Sequence, residues 1–326
     1  MNRIIPSIKI GAHVLPPVFL APMAGITDAA FRETVSDFGY VPMITEMVTS
    51  EACVRKNPKT LRMMDFYQGE SPKIVQLVGG TPERMAEAVK ISADHGADIL
   101  NINMGCPMKK IVHGEAGAAL MRDHNLAKKI LHAVVRATSL PVTLKMRLGW
   151  DTHQKNALEI ARIAEEVGIS LIIVHGRTRS QFYTGMADWE AVGEVKKSVR
   201  IPVIVNGDIK NTATAMAALN ASCADGIMVG RAALGAPWLP CQLASFLTTE
   251  VLVEQHPLMI QQTVIRHLDR MVAFYGQERA VCISRKHMCW YSKGLEKAAT
   301  FRTHVNKALS IQEIKQYVEE FMHEQQ

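Results

Sequence analysis

Residues 141–176 read PVTLKMRLGWDTHQKNALEIARIAEEVGISLIIVHG, and this stretch decides the fold. A short apolar run, PVTLKM (141–146), passes through a polar, glycine-containing turn into a helical stretch. Gly168 stops that stretch where a left-handed C-cap is needed, and a second apolar run, LIIVHG (171–176), follows. The same unit recurs along the chain. Its other runs are VFLAPM (18–23), PMITEM (42–47), KIVQLV (73–78), DILNIN (98–103), PVIVNG (202–207) and GIMVG (226–230). None alternates strictly, as expected of parallel strands covered on both faces, and each gap is long enough for a helical crossover. Gly39 and Gly96 stand at the same stop position as Gly168, and Thr81-Pro82 opens a helix with a hydroxyl cap and a first-turn proline. Eight βα units in about 250 residues match a TIM barrel; an open doubly wound sheet rarely has eight even units.

The predicted fold class is therefore α/β: a (β/α)8 TIM barrel followed by a small all-α helical bundle. The barrel is assigned to residues 1–247 and the bundle to 248–326, with helices expected near 255–275, 279–298, 300–308 and 310–322. The basic residues concentrate in the bundle: from Gln262 to Ser310 there are nine Lys or Arg against three acids, and from Ile311 onward one Lys against four Glu. That matters because the whole chain is only mildly basic, with a formal net charge of +6. Stepping by 3.6 residues along 279–298, Val281, Met288, Tyr291, Leu295 and Ala298 form an apolar stripe. Lys286, Trp290, Lys293 and Lys297 fall nearly opposite, three cations around an aromatic, the composition of a nucleic-acid grip.

Hydrophobic residues at 48% and charged residues at 21% can bury a large core and argue against disorder. The six cysteines (53, 106, 223, 241, 282 and 289) form no CxxC pair, so neither a zinc site nor any other metal is expected, and no disulfide framework. The first residues lack the apolar stretch of a signal peptide. The most apolar segment, Ala232 to Leu247, is broken by Pro237 and Pro240 and is too short to span a bilayer. The expectation is a cytoplasmic, reduced protein without a membrane partner; a monomer is compatible with the sequence, which does not fix the oligomeric state.

A barrel places its working groups at the carboxyl ends of its strands. Read in order, those ends carry Met23, Glu46, Gln76, Asn103 with Cys106, Lys145, His175, Asn206 and Gly230. The last two strands finish in Asn206-Gly207-Asp208 and Gly230-Arg231, where glycine lets backbone N–H groups approach an anion and Arg231 adds a charged fork. This pattern points to a phosphate-bearing ligand. Flavin mononucleotide (FMN) fits the remaining groups. Pro22-Met23-Ala24 offers a flat surface for the ring, Gln76 a hydrogen bond to a ring carbonyl or nitrogen, and Lys145 a cation where reduced flavin gathers negative charge. Cys106, between Gly105 and Pro107 and followed by Lys109 and Lys110, sits on a loop at the mouth. An ordinary thiol is mostly protonated at pH 7 and can serve as a general acid.

Together these stretches resemble the tRNA-dihydrouridine synthase family, most closely its bacterial B-type branch. The matching segments include APMAGITDAAFR (21–32), QLVGGTPE (76–83), NINMGCPMKK (101–110), LKMRLGW (144–150), VHGRTRSQFYTG (174–185), VIVNGDI (203–209), MVGRAALGAPW (228–238) and RKHMCWYSKG (285–294). The resemblance implies that NADPH (or NADH) reduces FMN, that the flavin delivers hydride to C6 of a uracil flipped out of tRNA, and that Cys106 protonates C5. It implies FMN contacts at Pro22, Met23, Ala24, Gln76, Lys145, His175, Asn206, Gly207, Asp208, Gly230 and Arg231. It implies uracil contacts at Asn103, Arg147 and Arg177; Lys109 and Lys110 on the barrel rim join Lys286, Trp290, Lys293 and Lys297 as candidate tRNA contacts. Asn101 stands where many B-type members have Asp. Two other readings compete: another FMN barrel such as a dihydroorotate dehydrogenase, and a non-catalytic RNA-binding protein.

Overall fold

A computed structural model of the chain describes residues 4–253 and 256–325. The chain opens with an antiparallel hairpin, β1 (Ile8–Ile10) and β2 (His13–Leu15). Eight parallel strands follow: β3 (Val18–Leu20), β4 (Ile44–Thr49), β5 (Ile74–Val78), β6 (Ile99–Met104), β7 (Val142–Arg147), β8 (Leu171–His175), β9 (Val203–Asn206) and β10 (Gly226–Val229). They pair in sequence order from β4 to β10, and β10 then pairs with β3. A parallel bridge between Leu20 and Met43 joins β3 to the start of β4 and closes the ring. The second barrel strand begins at Ile44 rather than Pro42: proline has no N–H to give to a ladder, although its carbonyl accepts the Leu20 N–H at 3.0 Å.

Two apolar layers hold the barrel. Between strands and helices lie Leu77, Val89, Leu131, Leu144 and Ile160, all fully buried. Inside the ring lie Phe19, Ile44, Ile74, Ile99, Leu171, Ile204 and Met228, and with them Ile8, Ile10 and Leu15 of the hairpin. The hairpin therefore plugs the end of the barrel away from the strand carboxyl ends. Its alternation, Ile8-Lys9-Ile10 and His13-Val14-Leu15 around Gly11-Ala12, is a hairpin signal that the reading of the N-terminus passed over. Gly39, Gly96 and Gly168 all take positive φ (129°, 95° and 97°), as their helix-stop positions require. Thr81 precedes the helix Pro82–Asp94, but its hydroxyl makes no capping bond.

The helix Leu239–Thr249 crosses the expected boundary at 247. It belongs to the barrel side: Leu243, Ala244 and Leu247 join the barrel core, and the Ile5 N–H bonds to the Leu247 carbonyl at 2.9 Å. The bundle is formed by the helices Pro257–Tyr275, Gln277–Tyr291, Ala298–Lys307 and Ile311–His323. The expected start at 255 lies outside the described residues. The helix predicted over 279–298 stops at Tyr291, because Gly294 takes φ +83° and Lys297 φ +53°, which no helix interior accommodates.

The bundle docks on the first barrel helix, Ala29–Ser36. Arg270 donates two bonds of 2.8 Å to the two carboxylate oxygens of Asp37 and lies 3.2 Å from Glu33. Tyr275 donates to Asp28 at 2.6 Å. Beneath them Phe31, His267, His287 and Tyr291 pack ring against ring.

Candidate active site

The strand carboxyl ends and the bundle enclose a cavity of about 1530 Å³. Among its lining residues are six cations, Lys145, Arg147, Arg177, Lys210, Arg231 and Lys293, against one carboxylate, Asp208. Such an imbalance favours an anionic guest. All eleven residues expected to hold a cofactor line this cavity, as do Cys106, Asn103, Arg147, Arg177, Trp290 and Lys293. Lys109, Lys110, Lys286 and Lys297 do not.

At the floor an amide ladder runs across three strands. Gln76 donates to Asn101 at 2.7 Å, Asn101 to Thr143 at 2.8 Å, and Thr143 to the Leu100 carbonyl at 3.1 Å. Asn101 donates here, which an ionised Asp cannot do. Asn103 donates to Gln76 at 2.8 Å and accepts the N–H groups of Gly105 and Cys106 at 3.0 and 2.8 Å. Asn103 thus fixes the turn that carries the thiol. Burial pushes the Cys106 thiol above its ordinary value, with the Met108 N–H, Arg147 and Lys145 pulling only partly back. The thiol is protonated at neutral pH.

Lys145 projects from β7 with its Nζ 3.3 Å from Asn206 Oδ1. Burial, helped by Arg147, brings its pKa down from 10.5 to about 7. His175 is held well below its ordinary value by burial and by Lys145, Arg147, Arg177 and Arg231, so it is neutral. Arg177 Nη1 faces His175 Nε2 at 3.3 Å. A guanidinium has only donors, so Nε2 accepts and the ring proton sits on Nδ1.

Two expected uracil contacts have other partners. Arg177 is buried against Asp208 Oδ2 at 2.6 Å, the Gly185 carbonyl at 2.7 Å and the Thr184 carbonyl at 3.2 Å. Arg147 donates to the Gly105 carbonyl at 2.8 Å and to the Thr178 and Phe182 carbonyls at 2.9 Å each. Between them they tie the loops after β6, β8 and β9 together; Arg177 has most of its donors engaged, whereas Arg147 keeps its Nη2 amino group without a hydrogen bond among the described residues, on a side chain that lines the cavity.

At the β9 and β10 ends, the N–H groups of Gly207, Asp208, Gly230 and Arg231 carry no hydrogen bond among the described residues. A Cβ on Gly207 (φ +120°) would come within 2.7 Å of Ala187 and 2.9 Å of the His175 ring. Only glycine leaves that approach open. The Asp208 carboxylate turns away toward Arg177 and the Ala187 N–H, which hold its pKa below the usual range despite burial. Arg231 stays half exposed over the Tyr183 ring, 4.6 Å from its centroid.

The expected cationic face of the bundle is broken up. Lys286 is half-buried and donates to the Gly25 carbonyl, while the Gly25 N–H donates to the buried Glu46 carboxylate. The turn after β3, which carries Met23 and Ala24, is thereby clamped between barrel and bundle. Trp290 is half-buried, edge-on to His287, rather than exposed. Lys293 lines the mouth with no partner among the described residues, and Lys297 pairs with Glu324 at 3.3 Å. Leu295, expected in the apolar stripe, is exposed, because it lies beyond the helix end. Glu46, in sequence only one of the polar strand ends, holds the Gly25 turn, and Tyr183, which was not singled out in the sequence, lines the cavity; the aromatic in QFYTG beside the HGR stretch was its available signal.

The dihydrouridine synthase family model matches residues 19–326. A probable tRNA-dihydrouridine synthase of Rickettsia bellii is 47% identical over 305 residues, 92% of this chain and 93% of that protein. The tRNA-dihydrouridine synthase B of Xanthomonas axonopodis is 44% identical over 302 residues (92% and 91%), and that of Pseudomonas aeruginosa 41% over 303 residues (92% and 91%). Among solved structures, histamine dehydrogenase from Rhizobium sp. 4-9 superposes with a TM-score of 0.59 at 14% identity over 82% of this chain. A 2-naphthoyl-CoA reductase does so with 0.59 at 12% over 77%. The chain spans about half the length of those two enzymes (51% and 53%), and their likeness bears on the fold alone.

Proposed function

The chain belongs to the dihydrouridine synthase family, and from that premise we propose that it reduces the C5–C6 double bond of a D-loop uridine in tRNA, with Cys106 giving the proton to C5. Flavin mononucleotide, recharged by NADPH (or NADH), would supply the hydride to C6 when bound. The observation that carries the reading is the pairing of a protonated thiol with a cation-rich cavity whose far wall presents unpaired N–H groups.

The residues fit such a cofactor. Its phosphate would meet the free N–H groups of Gly207, Asp208, Gly230 and Arg231 and the Arg231 guanidinium. His175 would donate from Nδ1, and Lys145 would regain its full charge beside an anion. Pro22, Met23 and Ala24 would cover the ring, held there by the Lys286–Gly25–Glu46 clamp. Gln76 keeps one amide hydrogen for the ring after bonding Asn101. Asn103 would orient Cys106 rather than carry substrate, and Arg147 would brace the same turn through the Gly105 carbonyl. The thiol's elevated pKa keeps the proton in place until a carbanion at C5 draws it off. Lys109, Lys110, Lys286, Trp290, Lys293 and Lys297 were expected to grip the tRNA; the exposed Lys109, Lys110 and Lys293 remain suited to it, whereas Lys286 acts on the flavin-facing turn.

Purified protein tests the cofactor directly. Acid release should yield the mononucleotide flavin with its yellow absorbance. Release of the dinucleotide, or no flavin after reconstitution, overturns the assignment.

A further inference from the structure

Three consecutive loops on the carboxyl rim of the barrel build a cation–aromatic stack outside the cavity. Arg122 follows β6, Trp150 follows β7, and Arg179 with Phe182 follows β8. The guanidinium carbons of Arg122 and Arg179 lie 4.2 and 4.6 Å from the centroid of the Trp150 ring, and Arg179 lies 5.1 Å from that of Phe182. The stack is built rather than incidental. The Arg179 N–H bonds the Gly149 carbonyl and the Ser180 N–H bonds the Trp150 carbonyl, both at 2.9 Å, so two loops are laced together under it.

Two like charges are held on one ring, and neither arginine makes a salt bridge among the described residues. The carboxylates next to the stack in sequence accept backbone N–H groups, Asp123 that of Leu126 and Asp151 those of His153 and Gln154. Arg179 Nε is buried and has no hydrogen-bond partner among the described residues. The indole face is occupied by guanidinium, so the ridge presents charge and fork-shaped donors rather than a surface for stacking a base. Phosphate oxygens complement such a group. Its position is also specific, since Arg147, which braces the Cys106 turn, bonds the Phe182 carbonyl in the same loop.

We propose that Arg122, Trp150 and Arg179 form a ridge that binds the RNA backbone next to the nucleotide entering the cavity. The inference rests on the tRNA reading above. A nucleotide turned into the mouth leaves its flanking phosphates over the rim, where this ridge holds the exposed Arg122 and the half-buried Arg179, neither in a salt bridge among the described residues.

The test measures tRNA affinity of the flavin-loaded protein against salt for wild type, Arg122→Gln, Arg122→Gln/Arg179→Gln and Trp150→Leu. Arg122 is exposed, so its variant folds whatever becomes of the others. Each phosphate contact contributes about 0.7–0.9 to the log–log salt slope. Arg122→Gln should flatten the slope by about that much and weaken binding about five- to eightfold at 0.1 M salt. The double variant should lose about twice that slope, and Trp150→Leu should weaken binding with both arginines still present. Reduction of the flavin by NADPH without tRNA should be unchanged in Arg122→Gln. A wild-type slope in Arg122→Gln overturns the ridge while leaving the tRNA reading intact. Failure of the wild type to bind tRNA at all overturns the reading and the ridge with it. Weakened binding of polyglutamate with an unaltered tRNA slope would make the ridge a protein-docking site and also overturn the assignment.

Discussion

Replacing Lys145 by Met should make the flavin-free protein more stable in acid and less able to hold flavin. Its pKa falls from 10.5 to about 7 because burial and Arg147 disfavour the charge. Taken at face value, that corresponds to roughly 4–5 kcal/mol against the protonated form. Water in the cavity lowers this figure, and Met leaves Asn206 Oδ1 without its 3.3 Å donor, a loss of about 1 kcal/mol. The expected net gain is about 1–3 kcal/mol at pH 6. The sign follows from proton linkage. Below pH 7 the lysine is charged in both folded and unfolded chains, and the burial penalty is fully felt. Between pH 7 and 10.5 only the unfolded chain is protonated, so wild-type stability rises with pH and the advantage of Met shrinks. Urea unfolding of the flavin-free proteins at pH 6 and at pH 10 measures it. Equal or lower stability of the variant at pH 6, or a difference that does not change with pH, would refute the reasoning.

Other residues separate the roles assigned above. Cys106→Ala should retain flavin and its reduction by NADPH but lose uridine reduction by roughly 10²–10⁴-fold; a near wild-type rate would make the thiol structural. Because burial raises the Cys106 pKa, the wild-type rate should hold through the pH range where an ordinary thiol ionises and fall only above it, as a pH–rate profile would show. Lys286→Met should release the Gly25 turn and weaken flavin binding on the order of tenfold, leaving the salt slope of tRNA binding unchanged. A flattened slope with unchanged flavin affinity would return Lys286 to the RNA surface.

The barrel was legible because its signal is a repeated one. Eight β-branched runs, with glycine stops at Gly39, Gly96 and Gly168, cannot easily be assembled otherwise. The cavity wall was legible for a related reason: a barrel strand fixes where its last residue points, so Gln76, Lys145, His175 and Asn206 could be placed from their strands. What each side chain does was harder to read. Arg147 and Arg177 look like substrate arginines in sequence, and the sequence does not show that they also brace the loops, Arg177 through Asp208 and Arg147 through the Gly105 and Thr178 carbonyls while its Nη2 stays free of hydrogen bonds among the described residues. Pairing across loops of irregular backbone leaves no periodic trace. The helical face failed for a local reason, since Gly294 takes a positive φ and ends the register on which Lys293 and Lys297 were aligned. The Lys286–Gly25–Glu46 clamp joins residues more than two hundred positions apart, which no local pattern reports.

The most direct measurement is nucleoside mass spectrometry of tRNA lacking dihydrouridine after incubation with the purified protein, FMN and NADPH. The expected result is dihydrouridine in the wild-type reaction, dependent on NADPH and largely absent with Cys106→Ala. Flavin oxidation without any gain of dihydrouridine in tRNA would contradict the central claim.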